Sequence, residues 1–351
     1  MGRINNLLKT KLADGYLVLD PLNRRYLTNF ESSYGYVLVS KEETYFYTDS
    51  RYIEAAEKNS FKEILVRGAE PKVFFDNVNE FIKKHSIKTL GFEDNFLNVA
   101  SFNAYSPKLN AKLVPIGDAI EKIRQIKTPE EVEYIKKAQR IAEQALEASY
   151  PLLKEGMTEK EFRAELEYQM YKFGSEGISF ETIVAFGANA SMPHAVPSDY
   201  KLKPGDTVLC DFGAMVNGYH SDMTRTCFFG EPSEEMKDVY NTVLKSQLAA
   251  LEIAKPNGST KSVDKAARDV ISKTRFPVFQ HGLGHGVGLF IHEGPRFSPL
   301  TDDKLVPGTV ITVEPGIYLP DIGGVRIEDM IYVTKEGIIN LTEARKDLRI
   351  L

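Results

Sequence analysis

Two hydrophobicity patterns alternate in the first third of the chain. Residues 16–20 and 35–40 are short runs of aliphatic, β-branched and aromatic side chains, which is typical of strands. Residues 71–84 instead carry apolar positions at helical spacing. The alternation predicts a small α/β domain, which we place at residues 1–120, with a second domain at residues 121–351.

Long helices are predicted in the second domain from their start signals. Thr128, Pro129 and Glu131 form a capping box with proline at the first helical position, and an amphipathic pattern follows. Thr158 and Glu161 repeat the box for a helix that ends by Gly174. A third helix is predicted over residues 233–254.

Acidic residues recur in a repeated frame between and after these helices. Pro204-Gly205 opens an apolar run that reaches Asp211 seven residues after the proline, and Pro307-Gly308 opens one that reaches Glu314 at the same offset. Each acid is followed by a second one, Asp222 in the first case and Glu328 in the other. The sequence therefore predicts two copies of one hairpin.

The first hairpin can be given a register from its turn. Asn217-Gly218 is the preferred pair for a two-residue type I′ turn, which sets Asp211 opposite Thr224. Asp222 then lies two positions along on the same face, about 7–8 Å from Asp211 at the backbone. Two carboxylates at this separation can converge on one metal ion or on a pair.

Burial changes the interpretation of these acids. A single aspartate in a strand is usually at a solvated edge or end. Here Asp211 follows Val208-Leu-Cys210 and Glu314 follows Val310-Ile-Thr-Val313, so both acids end strands that are predicted to be buried. Because a buried carboxylate must be paired or bind a metal, four of them in a repeated frame predict a metal site.

Three of the six histidines cluster in one glycine-rich segment, as His281, His285 and His292. The four-residue spacing of His281 and His285 would suit a zinc-binding helix, but alternating glycines make a helix there improbable. In an extended chain, these glycines leave one face bare, as where another backbone or a ligand approaches closely. The cluster is best interpreted as one metal ligand with neighbours. The glycines do not fit a dinucleotide-binding loop.

The remaining histidines and the two cysteines receive simpler interpretations. His194 lies in a loop-like stretch ahead of the first hairpin and is a candidate substrate contact. His85 and His220 are assigned structural roles. Cys210 and Cys227 lack the spacing of a redox or zinc site and are predicted to be buried thiols.

Composition excludes several classes of protein. The 351 residues include 44 basic and 49 acidic side chains, a net charge of −5 that disfavours nucleic acid as a partner. No apolar run is long enough to predict a membrane span. The first residues lack the apolar stretch of a signal peptide, so we expect a cytoplasmic protein.

Several segments together resemble the pita-bread metallopeptidase family, in its aminopeptidase P and prolidase branch. They are DFGAMVNGYHSDMTRT (211–226), HGLGHGVGLFIHEGP (281–295), VEPGIY (313–318) and GVRIEDM (324–330). The resemblance implies an α+β fold. In that fold a small creatinase-like α/β N-terminal domain precedes a pita-bread catalytic domain with a pseudo-symmetric antiparallel sheet and flanking helices.

The resemblance also implies roles for individual residues. The ligands of two divalent ions would be Asp211, Asp222, His285, Glu314 and Glu328, with Asp222 and Glu328 shared between the ions. His194 and His292 match substrate-contacting histidines that help with proton transfer, and His281 matches a further histidine that lines the site. Arg326 matches an arginine that steadies the carboxylates.

The chemistry of such a centre follows from its donors. One imidazole with four carboxylates is an oxygen-rich set that favours Mn²⁺ or Co²⁺, with Fe²⁺ or Zn²⁺ as further candidates. Two ions can hold a bridging hydroxide at neutral pH and polarise a scissile carbonyl. We expect that hydroxide to attack an Xaa-Pro bond, with Glu314 as proton shuttle and His292 or His194 stabilising the developing charge.

The branch divides by substrate length. Arg296 is placed as the carboxylate-binding arginine of a prolidase would be, or it is a solvated loop residue. Against a prolidase, no histidine precedes His85, and residues 48–52 resemble a stretch frequent in aminopeptidase P-like chains. The sequence therefore favours an Xaa-Pro aminopeptidase acting on peptides with proline at the second position, with a dipeptide-restricted prolidase as the alternative.

A different class stays open. A metal-free creatinase-like hydrolase, or a non-catalytic peptide-binding protein, could use the same fold, although such relatives lack the full ligand set.

The resemblance to the pita-bread family further implies a homodimer.

Overall fold

The computed structural model describes residues 2–351. They form two compact units that divide between Arg124 and Gln125. The division falls just before the segment that leads into the first long helix of the second unit. The first unit is built on one sheet, and the second unit is built on several.

The N-terminal unit is α/β, as predicted. Its helices are α1 (Gly2–Lys9), α2 (Pro21–Thr28), α3 (Ile53–Asn59), α4 (Phe74–Lys84), α5 (Val99–Tyr105) and α6 (Ala119–Arg124). Its strands are β1 (Gly15–Val18), β2 (Tyr36–Val39), β3 (Thr44–Thr48), β4 (Ile64–Gly68), β5 (Thr89–Phe92) and β6 (Lys112–Pro115). The predicted strands at 16–20 and 35–40 correspond to β1 and β2.

The sheet of this unit is mixed. Its strand order is β4-β3-β2-β1-β5-β6, with parallel pairs at β3–β4, β1–β5 and β5–β6 and antiparallel pairs between β1, β2 and β3. The apolar face of α4, formed by Phe74, Val78 and Phe81, is buried in the core of the unit. This burial explains the helical spacing of apolar residues in 71–84.

The second unit combines four long helices with short antiparallel strands. The helices are α7 (Pro129–Ser149), α8 (Glu159–Lys172), α9 (Glu234–Ile253) and α10 (Thr260–Ile271). The strands are β7 (Ile183–Phe186), β8 (Asp206–Phe212), β9 (Met215–Val216), β10 (Tyr219–His220), β11 (Met223–Phe229), β12 (Gly284–Gly286), β13 (Glu293–Phe297), β14 (Val310–Val313), β15 (Gly316–Leu319), β16 (Gly323–Arg326), β17 (Asp329–Val333) and β18 (Ile338–Asn340).

The helix starts follow the capping chemistry of the sequence. Thr128 with Glu131, and Thr158 with Glu161, form complete capping boxes at the starts of α7 and α8. Ser233 caps α9, whose observed span lies within the predicted 233–254. The structure confirms these predicted helix starts. They could be predicted because a cap depends only on residues within a single turn.

The second unit is built from two similar halves. The first half packs α7 and α8 against the sheet β11-β8-β7, and the other packs α9 and α10 against the sheet β13-β12-β14-β17-β18. Both sheets are antiparallel. This arrangement confirms the predicted pseudo-symmetric sheet with flanking helices, and it brings the strand ends that carry the acids together.

Among residues 2–351, none of the helices has the length and apolarity that crossing a bilayer would demand.

Candidate metal centre

The first hairpin has the register that its turn predicts. Asn217 and Gly218 have φ angles of 48° and 69°, as a type I′ turn requires at both central positions. Asp211 in β8 lies opposite Thr224 in β11. Asp222 directly precedes β11, so both acids lie near the same end of the strand pair.

The second hairpin repeats this arrangement. Glu314 directly follows β14, Glu328 directly precedes β17, and Val313 lies opposite Asp329. The two hairpins are hydrogen-bonded to each other through Thr224. The backbone N of Glu328 donates to the carbonyl O of Thr224 at 3.1 Å, and the Thr224 hydroxyl donates to Oε2 of Glu328 at 2.8 Å.

The five predicted ligands meet at one pocket. They are Asp211, Asp222, His285, Glu314 and Glu328. Ligand atoms of Asp222, His285 and Glu328 all lie within 4.8 Å of one another. The Nε2 atom of His285 is 3.4 Å from Oδ2 of Asp222 and 3.5 Å from Oε1 of Glu314. Such spacing lets single ions bridge neighbouring side chains.

The electrostatics of this pocket favour a bound cation. Burial, followed by the neighbouring carboxylate of Glu328, raises the pKa of Asp222 well above its usual value. Burial also raises the pKa of Glu314 to about 8. Two carboxylate oxygens, Oδ1 of Asp211 and Oε1 of Glu328, are buried and accept no hydrogen bond from residues 2–351. Buried carboxylates with spare acceptor atoms are the donor set that hard divalent ions prefer.

Arg326 is the cation that faces these acids. It is buried, and it donates from Nη2 to Oδ2 of Asp211 at 2.6 Å and from Nε to the Thr224 hydroxyl at 3.0 Å. A single guanidinium cannot neutralise four carboxylates. The remaining negative charge must be balanced by protons, as the raised pKa values of Asp222 and Glu314 indicate for the metal-free centre, or by bound cations.

His281 is held by the same network. Arg326 donates from Nη1 to the Tyr318 hydroxyl at 2.9 Å, and that hydroxyl lies 3.0 Å from Nε2 of His281. The Nδ1 atom of His281 is 2.7 Å from the carbonyl O of Gly282. Burial lowers the pKa of His281 to about 4, so the ring is neutral and both nitrogens are engaged by protein atoms. His281 lines the pocket in a fixed tautomer and orientation.

The β12–β13 element carries His285 and two further pocket residues, His292 and Arg296. His285 in β12 lies opposite Arg296 in β13, and the rings of His285 and His292 have centroids 4.5 Å apart. His292 and Arg296 are exposed at the pocket, as is His194, which approaches from the loop before β8. The pKa of His292 is lowered mainly by partial burial and, to a smaller extent, by the positive charge of Arg296.

The alternating glycines allow close backbone approach, as predicted. A Cβ atom at Gly284 would lie 2.0 Å from the carbonyl O of Thr312, and one at Gly286 would lie 2.1 Å from the carbonyl O of Gly294. The chain is extended at these positions. Any larger residue would therefore push His285 away from the acids.

The structure adds three residues that the sequence analysis did not single out. Thr224 connects Glu328 to Arg326, and Tyr318 connects Arg326 to His281. Thr312 accepts from the backbone N of His285 at 3.1 Å and donates to Oε1 of Glu314 at 3.2 Å. Thr224 was already opposite Asp211 in the predicted register, which is the one signal that could have found it.

The two histidines assigned to structural roles lie elsewhere. Within the described chain, the residues lining the pocket do not include His85 or His220. His85 directly follows α4 and lies beside Glu42, with Nδ1 at 3.2 Å from the carboxylate. The backbone N of His220 donates to the carbonyl O of Gly288 at 3.0 Å.

Comparison with known proteins gives two family matches. The profile of metallopeptidase family M24 matches residues 133–335, and the profile of the creatinase/prolidase N-terminal domain matches residues 1–126. The first match covers the hairpins and all the candidate ligands.

Individual proteins match over nearly the whole chain. A Xaa-Pro dipeptidase of Pyrococcus furiosus is 39% identical over 95% of this chain and 95% of its own. The structure of a Xaa-Pro dipeptidase from Bacillus anthracis superposes with a TM-score of 0.95 at 39% identity, covering 100% of this chain and 99% of that one. The structure of an X-Pro aminopeptidase from Thermotoga maritima superposes with a TM-score of 0.92 at 35% identity, covering 98% and 99%.

Proposed function

The chain belongs to metallopeptidase family M24, in its pita-bread aminopeptidase P and prolidase branch, and from that premise we propose that it is a Xaa-Pro dipeptidase. As a member of this family it is a hydrolase that depends on divalent metal ions. The more specific assignment differs from the sequence analysis, which favoured an aminopeptidase. Relatives named Xaa-Pro dipeptidase favour the alternative.

The observation that carries the proposal is the position of Arg296. Its side chain is exposed at the pocket, opposite His285 in the register of β12 and β13. The substrate of a dipeptidase ends in a free carboxylate one residue beyond the scissile bond. A guanidinium can bind that group through two parallel hydrogen bonds. A longer peptide presents an uncharged amide at this point, whose single carbonyl oxygen does not match the two parallel donors of the guanidinium.

We propose that the centre holds two divalent ions, with Mn²⁺ or Co²⁺ preferred. Their ligands would be Asp211, Asp222, His285, Glu314 and Glu328. Bound there, the ions would supply an activated water at neutral pH and polarise the scissile carbonyl. The four carboxylates and their spare acceptor atoms support this stoichiometry, since Arg326 pairs directly with only one of the four, Asp211.

The chain's own residues would then move protons and bind the substrate. Glu314 takes a proton from the attacking water at a carboxylate oxygen and delivers it to the departing proline nitrogen. His292, at the pocket edge, donates toward the charge that develops on the carbonyl oxygen, and His194 binds the substrate from the opposite loop. Arg326 and Tyr318 keep Asp211 and His281 in place.

The test compares substrates that differ at the carboxylate. Metal-loaded enzyme is given Xaa-Pro dipeptides, the matching dipeptide amides and Xaa-Pro-Xaa tripeptides, with metal-stripped enzyme as control. We expect metal-dependent cleavage of the dipeptides, with the amides and tripeptides much poorer. Arg296→Ala should raise KM for the dipeptide and leave the amide unchanged.

A second candidate, Xaa-Pro aminopeptidase, is favoured by the likeness to the Thermotoga maritima structure. Equal cleavage of tripeptides and dipeptides by the wild-type enzyme would select it and leave Arg296 without a role in substrate length. If the protein cleaves none of these peptides and binds fewer than two ions per chain, the result would favour a non-catalytic peptide-binding protein.

We propose a creatinase-like domain at residues 1–120, a catalytic domain at 121–351 and a homodimer. Light scattering on the size-exclusion eluate would measure the mass of the assembly, and a monomer at working concentration would contradict the dimer.

A further inference from the structure

We propose that the ion pair between Lys127 and Glu293 is a positioning element that holds His292 at the pocket. The inference rests on the proposed function, in which His292 acts on the substrate. Lys127 directly precedes the helix-capping residue Thr128, and Glu293 directly follows His292. Among the described residues, the pocket lining does not include Lys127 or Glu293, so any effect of the pair on catalysis is indirect, and the adjacent His292 is the route that we propose.

The pair is almost completely buried. The Lys127 ammonium contacts Oε1 of Glu293, with 1% and 5% of the two side chains exposed. Lys127 also donates to the carbonyl O of Gln125 at 3.2 Å. Its backbone N donates to the carbonyl O of Gly308 at 2.8 Å. The lysine is therefore fixed at both ends, which makes it a rigid anchor for its partner.

Glu293 is the base of the loop that carries His292. It pairs with Gly286 where the β12–β13 register shifts, so residues 287–292 connect the two strands and the connection ends at Glu293. The far side of this loop is tied to β10, because the backbone N of His220 donates to the carbonyl O of Gly288. A shift of Glu293 would move His292, the next residue along the chain.

The loop is packed around the pair. A Cβ atom at Gly288 would lie 2.5 Å from Oε1 of Glu293 and 3.0 Å from Cε of Lys127. A Cβ atom at Gly294 would lie 2.4 Å from Nε2 of Gln125. The segment 125–127 and the loop thus fit together on both sides of Glu293, with no room for another side chain.

The free-energy cost of burying the Lys127–Glu293 pair indicates that it does more than stabilise the fold. Two charges lose most of their hydration when they are buried, and apolar residues of similar volume often serve stability equally well. What an ion pair with fixed donors adds is a defined geometry. Catalytic groups need such geometry, since a displacement of about 1 Å can lower a rate by about 100-fold.

The test removes both charges at once, because removing one would leave the other buried and unpaired. In Lys127→Met/Glu293→Met we expect a Tm close to that of the wild type and an unchanged metal content. We expect kcat for an Xaa-Pro dipeptide to fall by about 10- to 100-fold. Hydrogen exchange at residues 287–292 should become faster. Wild-type kcat in this variant would overturn the proposal.

A thermodynamic cycle with His292→Ala shows whether the effect passes through the histidine. If it does, introducing Lys127→Met/Glu293→Met into the His292→Ala variant should lower kcat by less than about twofold, because the effects of substitutions at coupled residues do not add. An equal loss in both backgrounds would contradict the positioning role. Lys265→Met, which removes an exposed helical ion pair with Asp269, is the matched control and should leave kcat and exchange unchanged.

A second variant covers the case in which the methionine pair does not fold. Glu293→Asp keeps both charges but shortens the side chain, so it should lower kcat in the same direction with metal content retained. The exchange measurement also separates this inference from the proposed function. If wild-type protein cleaves no Xaa-Pro dipeptide, the proposed function fails, whereas unchanged exchange at 287–292 in both variants would overturn the positioning role by itself.

Discussion

The guanidinium of Arg326 lies 2.6 Å from the carboxylate of Asp211, although the two residues are 115 positions apart and belong to different halves of the catalytic unit. The same arginine reaches Thr224 in the first half and Tyr318 in the second. It therefore fixes the two hairpins relative to each other at the pocket. On the proposed assignment of Asp211 as a metal ligand, Arg326 influences how tightly the metal binds.

Arg326→Lys tests that role. Lysine keeps one positive charge but cannot donate simultaneously to Asp211, Thr224 and Tyr318. We expect affinity for Mn²⁺ to fall by about 10- to 100-fold, measured by calorimetric titration of stripped protein. Affinity equal to wild type would mean that the charge alone matters and that the directed hydrogen bonds do not.

Glu314→Gln tests the proton shuttle. Glutamine retains the shape and one acceptor oxygen but cannot take up a proton. We expect kcat to fall by about 100- to 10,000-fold when the variant is assayed with two ions bound per chain. Metal content must be measured on the same samples, because a loss of metal would give the same fall. Near wild-type kcat in the loaded variant would rule out the shuttle.

Local chemistry explains which features the sequence predicts. The capping boxes of α7 and α8 and the register from Asn217-Gly218 depend on neighbouring residues, and they are confirmed. The contact of Arg326 with Asp211 depends instead on how two sheets pack. No local pattern encodes that packing, so only the family resemblance pointed to Arg326, and nothing pointed to Tyr318.

Substrate length was harder still to predict. The sequence presents Arg296 as either a carboxylate ligand or a solvated loop residue, because its partner strand cannot be read from a stretch interrupted by a register shift. In the structure it lies opposite His285, at the pocket. That placement, with the named relatives, moves the proposal from aminopeptidase to dipeptidase.

Glu93 should make the stability of the N-terminal unit depend on pH. It accepts from the backbone N atoms of Leu19 and Asp20 at 2.6 and 2.9 Å, and burial raises its pKa to about 7 from 4.5. Between these values the folded state holds a proton that the unfolded state has lost. The contribution of Glu93 to stability is therefore fully present below pH 4.5 and is lost as pH rises to 7, by about 3 kcal/mol.

Comparison with Glu93→Gln isolates the contribution of Glu93. The difference in unfolding free energy between wild type and variant should shift against the wild type as pH rises from 5 to 8. Urea unfolding in the presence of chelator measures it without interference from the metal centre. A difference that stays constant across this range would contradict the raised pKa.

Asp329 should be one of the residues on which the catalytic unit depends most for stability. It is fully buried, it accepts from Arg225 Nη2 at 2.7 Å, and it contacts the Lys346 ammonium. Asp329→Asn would leave two cations without a counter-charge, which we expect to cost about 3–5 kcal/mol in urea unfolding. The control is Asp347→Asn, which breaks an exposed pair with Arg345 and should cost less than about 1 kcal/mol.

Metal binding and folding should be coupled through Asp222. Its carboxylate is buried beside those of Glu328 and Glu314, so in stripped protein these groups repel one another. Mn²⁺ at about 100 times its dissociation constant should stabilise the wild type by about 2.7 kcal/mol per site. In Asp222→Asn the repulsion is smaller, so the stripped variant should have a higher Tm than stripped wild type, and added Mn²⁺ should raise that Tm far less. A metal-free variant with a lower Tm than the metal-free wild type would show that Asp222 stabilises the fold by itself. The buried carboxylates would then not destabilise the metal-free protein, which would contradict this prediction.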